Sequence, residues 1–166
     1  MVILLLLFIQ DADSRTVHWV LFPFLGLTFL WMRKASDGIS ILYFEGALGN
    51  VFFLVVQGLL LSCYFSLKNR RWTNITGELL GLGDILFLAS VTFYFSLLNY
   101  IVFYVISLCM AMLIWLTWQA FQKKKETKIP LAGLQALVLA CLLAVAWWIF
   151  PLNLTNDDWI ARIIYQ

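Results

Sequence analysis

Ile101 to Phe121 reads IVFYVISLCMAMLIWLTWQAF, an apolar run that contains no charged side chain. At 1.5 Å of rise per helical residue, a run of about 20 residues crosses the roughly 30 Å hydrocarbon core of a bilayer. It is closed by Gln122-Lys-Lys-Lys-Glu-Thr-Lys128, and a second long apolar run, Ile129 to Phe150, follows at once. Upstream, Ile85 to Leu98 breaks weakly at Asn99-Tyr100, and Ile39 to Leu67 is long enough to span with tilt. Val17 to Met32 and Met1 to Gln10 complete the series. The reading is an all-α, polytopic membrane protein with about six transmembrane helices, forming a single membrane-embedded domain over residues 1–166.

Composition agrees. Hydrophobic residues make up 63% of the chain and charged residues 12%, against roughly a quarter charged in soluble domains. A core of this size cannot hide so much apolar surface, whereas lipid tolerates it. No segment of about ten residues alternates in polarity, which argues against a membrane barrel. A net charge of +2 is too small for a nucleic-acid surface, so no nucleic-acid partner is expected. Cys63, Cys109 and Cys141 lie in apolar runs, far apart and away from the sole histidine, His18. They are expected to be buried small hydrophobes, with no disulfide framework, metal or cofactor. The first run lacks a basic n-region and a small-residue cleavage site, so it reads as a short first membrane helix rather than a signal peptide. Continued to Thr16 it would reach only about 24 Å.

Six spans alternate the loops between the two membrane faces. Arg15, Lys68, Arg70, Arg71, Lys123, Lys124, Lys125 and Lys128 fall on one side; Arg33, Lys34 and Arg162 fall on the other. The basic side is cytoplasmic by the positive-inside rule. That orientation brings Asp11, Asp13 and Asp84 to the cytoplasmic ends of their helices.

Acids at membrane depth usually face a partner or a cavity. Two carboxylates brought close share a proton, so one can act as base on a water while the other acts as acid toward a carbonyl. This chemistry needs no metal and no covalent nucleophile. No Ser/His/Asp set or phosphate-binding glycine loop competes with it. Gly81-Leu-Gly-Asp84 stands where a polar stretch runs into an apolar one. Gly81 and Gly83 permit close backbone approach, and Asp84 falls in a first helical turn, where the dipole favours a carboxylate.

Three landmarks together resemble the type IV prepilin and preflagellin peptidases, the GxGD aspartic proteases of bacteria and archaea. An acid near the end of the first helix is followed by basic and apolar positions, in Asp11-Ala-Asp-Ser-Arg15-Thr-Val17. Gly81-Leu-Gly-Asp84 opens the fourth helix, and Ile129-Pro-Leu-Ala-Gly-Leu134 begins the sixth, with Pro130 at the helix start. The resemblance implies a membrane aspartic endopeptidase of the cytoplasmic (inner) membrane. Its substrate would be a pilin-like precursor, cut on the cytoplasmic side after a small residue such as glycine. Asp84 would be one catalytic acid. Aligning Val17 with the family's apolar position favours Asp11 as the other, and Asp13 is the alternative. The two differ by about 200° around a helix and cannot both face Asp84.

The chain departs from the family in three places. His18-Trp19 stands where Pro-Asn or Pro-Asp is common, Leu86 replaces a frequent lysine, and the paired Cys-x-x-Cys methyltransferase portion is absent. Methylation is therefore not expected. The departures motivate a second reading, a catalytically degenerate relative acting as a membrane assembly or scaffold subunit. A proton-coupled transporter ranks last, since no inverted repeat is visible. Glu78, Glu45 and His18 read as interfacial residues, and Trp19, Trp31, Trp72 and Trp159 as interface anchors. Gly46 and Gly49 are expected at a helix contact. Asn74-Ile-Thr76 and Asn153-Leu-Thr155 match the glycosylation pattern, as many chains do by chance.

Overall fold

Apolar periodicity in lipid leaves the backbone one economical way to pair its own polar groups, the α-helix. The computed structural model describes residues 1–14, 17–37, 41–69, 81–121, 131–149 and 153–157. Six helices and no strand occur among them: α1 (Val2–Ser14), α2 (Leu21–Asp37), α3 (Ile41–Asn69), α4 (Leu82–Val91), α5 (Leu97–Phe121) and α6 (Leu131–Trp148). Three are long and apolar enough to cross a membrane, over Phe44–Lys68, Leu97–Ala120 and Leu131–Trp148, with mean hydropathies of 1.8, 2.3 and 2.1. Helix α1 has 13 residues, about 20 Å of length, and α4 has 10. Pro23 sits in the first turn of α2, where its missing N–H breaks no helical bond. Arg15, Arg70, Arg71, Glu78, Lys123, Lys124, Lys125, Lys128, Pro130 and Arg162 lie outside the described residues, as do Trp72, Trp159 and the Asn74 pattern.

Helix α6 is the hub, with α1, α5 and α4 packed on it; α2 packs on α4, and α3 on α5. The core is built from Leu4 and Leu7 of α1, Phe87 of α4, Tyr100 and Phe103 of α5, and Leu139 and Leu143 of α6, all essentially inaccessible. The outward faces are apolar as well: Phe52, Leu59 and Leu60 of α3 and Met112 and Leu113 of α5 are exposed. So large an apolar exterior belongs in lipid rather than water.

Three expectations need correction. The break after the fourth run falls at Thr92–Ser96 rather than at Asn99-Tyr100, which lie inside the first turn of α5. The cause is a side chain from another helix. Asn50 of α3 is fully buried, and its amide nitrogen donates to the carbonyls of Thr92 at 3.2 Å and Phe95 at 2.9 Å. Asn99 then helps to anchor the start of α5, donating to Ser96 Oγ and to the carbonyls of Leu154 and Asn156. Asp157 accepts from Ser96 Oγ and from the Asn99 N–H at the same end. Second, Cys63, Cys109 and Cys141 are exposed thiols rather than buried ones. A small apolar side chain is as much at home against lipid as in a core, so an apolar run does not fix its facing. Third, only Gly49 of the α3 glycine pair meets another helix: a Cβ there would lie 3.2 Å from Leu97, whereas Gly46 has nothing within 4 Å.

Candidate active site

The first turn of any helix presents backbone N–H groups that its own carbonyls cannot satisfy, and carboxylates are natural partners for them. In this bundle the first turn of α6 receives carboxylates from two different helices. Asp11, in the last turn of α1, is buried at 7% exposure. It accepts a 2.6 Å hydrogen bond from the Gly133 N–H. Asp84, partly buried in the first turn of α4, is hydrogen-bonded by the neighbouring Ala132 backbone. The two carboxyl groups lie close enough to act on each other electrostatically.

Glycine makes both approaches possible. A Cβ on Gly133 would lie 2.8 Å from the Asp11 Cβ and 3.0 Å from its Oδ2, so α1 can reach α6 only where no side chain intervenes. Gly81 precedes α4 in extended conformation, with φ −64° and ψ 139°. Its N–H donates to Asp84 Oδ2 at 3.2 Å while its carbonyl accepts from the Asp84 N–H at 3.0 Å. This reciprocal pairing fixes the Asp84 side chain over its own helix terminus, as in a capping box. Gly83 faces Phe22 of α2, whose ring lies 3.6 Å from where a Cβ would be. Of the motif's glycines, Gly81 holds the acid through its backbone N–H, whereas a side chain at Gly83 would meet Phe22 only at ordinary contact distance.

Of the two candidate acids in the opening segment, the structure brings Asp11 to Asp84 and leaves Asp13 exposed. Leu86, two residues after Asp84, is 39% exposed and points outward. Glu45, His18, Trp19 and Trp31 are also exposed. No group of three or more metal-ligating side chains occurs among the described residues. An apolar cleft of about 410 Å³ lies between the start of α1, the end of α2 and the end of α6. It is at the other end of the bundle from the acids.

One contribution to the site escapes a reading of side-chain types. The Ala132 and Gly133 N–H groups act through backbone alone, and only the small residues at 132 and 133 hint at the close approach. Gln135, fully buried one turn further along α6, shows in sequence only as a polar residue interrupting an apolar run. No known protein family, curated protein or solved structure matches the chain.

Proposed function

We propose that this chain is an aspartic endopeptidase of the prepilin-peptidase kind, acting in the cytoplasmic membrane of a bacterium or archaeon. The observation that carries the reading is the meeting of Asp11 and Asp84, 73 positions apart in the chain, over adjacent backbone N–H groups of α6. Their carboxyl groups share one proton. The ionised member takes a proton from a water, whose oxygen attacks the scissile carbonyl, while the protonated member donates to the carbonyl oxygen. Collapse of the tetrahedral intermediate returns a proton to the leaving amine and breaks the C–N bond. The helix terminus holds both acids in place throughout, and positioning of this kind is worth orders of magnitude in rate.

In this reading the chain spans the membrane six times, with the acids at the cytoplasmic face, where the basic residues gather. The substrate is a pilin-like precursor whose hydrophobic helix lies in the same membrane and whose short basic leader is removed. The step itself needs no metal or organic cofactor. The test is co-expression of such a precursor with wild type, Asp11→Asn and Asp84→Asn. Leader removal by wild type alone supports the proposal. Processing that survives either substitution removes it. A partner complex that persists, fully functional, after both acids are neutralised would favour the scaffold reading instead.

A further inference from the structure

The cleft of about 410 Å³ at the end of the bundle opposite the acids has no role in the cleavage chemistry. Its walls come from three helices: the start of α1, the second half of α2 and the end of α6. Leu4, Leu25, Phe29 and Leu143 form its floor and are almost inaccessible, whereas Trp31 and Trp147 stand exposed at its rim. Thr28 also lines it, with its hydroxyl donating to the Leu25 carbonyl of its own helix at 2.7 Å. Walls of this kind offer a water molecule too few partners to hold it.

The rim residues set the depth of the cleft in a bilayer. Tryptophans at helix ends sit at the level of the lipid headgroups, and Trp31 and Trp147 both lie near the ends of their helices. Leu25 precedes Trp31 by six residues, which places the floor about 9 Å deeper, among the acyl chains. On the other side of Trp31, Lys34 is exposed three residues further on, a neighbour on the same side of α2. The adjacent Arg33 is turned to the α4–α5 break, its Nη1 donating to the Tyr94 carbonyl at 3.0 Å. An apolar slot that opens beneath an exposed ammonium group complements a molecule with a hydrocarbon tail and an anionic head.

We propose that this cleft binds an anionic phospholipid, with one acyl chain between α1, α2 and α6 and the headgroup phosphate at Lys34. A lipid on a convex helix surface is touched from one side and exchanges with its neighbours. A chain in this slot is touched by three helices at once. Lys34 adds the attraction of one basic side chain for an anionic headgroup. The lipid binds the assembled cleft and not the unfolded chain, so it stabilises the fold by mass action. Neither acid is involved, so the binding is independent of cleavage.

The experiment titrates the full chain, in a neutral detergent, with phosphatidylglycerol, with phosphatidylcholine of the same chains, or with soluble glycerol phosphate. Native mass spectrometry counts retained lipids, and thermal unfolding reports stabilisation. Wild type should retain one phosphatidylglycerol and melt higher in its presence, bind phosphatidylcholine roughly fivefold more weakly, and ignore glycerol phosphate. Thr28→Phe fills the slot and should abolish both retention and the shift. Leu60→Phe, at an exposed position of α3 away from the cleft, should behave as wild type. Lys34→Gln should lower phosphatidylglycerol affinity to the phosphatidylcholine level, and Lys34→Arg should restore it. Undiminished retention by Thr28→Phe, or an equal loss in Leu60→Phe, overturns the proposal. So does a shift produced by glycerol phosphate alone. Lys34 is exposed, so its variants decide the matter even if Thr28→Phe does not fold: a phosphatidylglycerol preference that is absent in wild type, or that survives Lys34→Gln, overturns the proposal as well.

Discussion

Gly133→Ala is the smallest change that would prise the acid pair apart. The added methyl would lie 2.8 Å from Asp11 Cβ, 3.0 Å from Asp11 Oδ2 and 3.3 Å from the Phe8 carbonyl oxygen. Carbon atoms rest at about 3.5–4.0 Å, so α1 and α6 must separate by roughly 1 Å beside Asp11. The 2.6 Å bond from the Gly133 N–H is lost with that movement. Overpacking of this kind costs about 1–3 kcal/mol, and a hydrogen bond to a charged group contributes about 1.5–3 kcal/mol. The higher helix propensity of alanine offsets about 1 kcal/mol. The balance is a loss of roughly 1.5–5 kcal/mol, or about 3–20 °C in thermal midpoint for a chain of this length. Cleavage should fall about a hundredfold, since a misplacement near 1 Å is enough to do so. Thermal unfolding in detergent and leader-peptide cleavage measure both effects. A Gly133→Ala protein that melts with wild type and cleaves at its rate refutes the close approach of α1 to α6.

The surrounding structure makes three further predictions. Gly58→Ala, at a position with nothing within 4 Å, should leave cleavage unchanged and stabilise α3 by about 0.5–1 kcal/mol in the same melting assay. Asn50→Leu strands the carbonyls of Thr92 and Phe95 and should lower stability by about 2–4 kcal/mol, read as a lower midpoint and faster proteolysis between α4 and α5. Asp13→Asn alters an exposed side chain and should retain wild-type cleavage, whereas Asp11→Asn in a parallel assay should not.

The helical character of the fold was legible in the sequence because apolar run length is a direct measure of what lipid accepts. Element ends were less so. The break at Thr92–Ser96 carries neither proline nor glycine, and its carbonyls are satisfied by Asn50, a residue on another helix. No local pattern reveals such a partner. The cysteines were misplaced for a related reason: in a bilayer, apolar runs do not distinguish inward from outward faces as they do in water. At the candidate site, the acids announced themselves as costly residues beside apolar runs, and Gly81-Leu-Gly-Asp84 marked a helix start. The choice between Asp11 and Asp13 depended on the rotation of α1, which Gly133 sets from 122 residues away. Gln135 shows in the sequence only as a polar residue in an apolar run; its full burial, with no hydrogen-bond partner among the described residues, is visible only in the fold.

The most direct measurement of the central claim is proximity cross-linking in membranes, with Cys63, Cys109 and Cys141 replaced by alanine. Asp11→Cys combined with Asp84→Cys should be bridged efficiently by a short bifunctional thiol reagent, and Asp13→Cys combined with Asp84→Cys should not. If the 11–84 pair resists bridging, or the 13–84 pair bridges in its place, α6 does not gather these two acids as described.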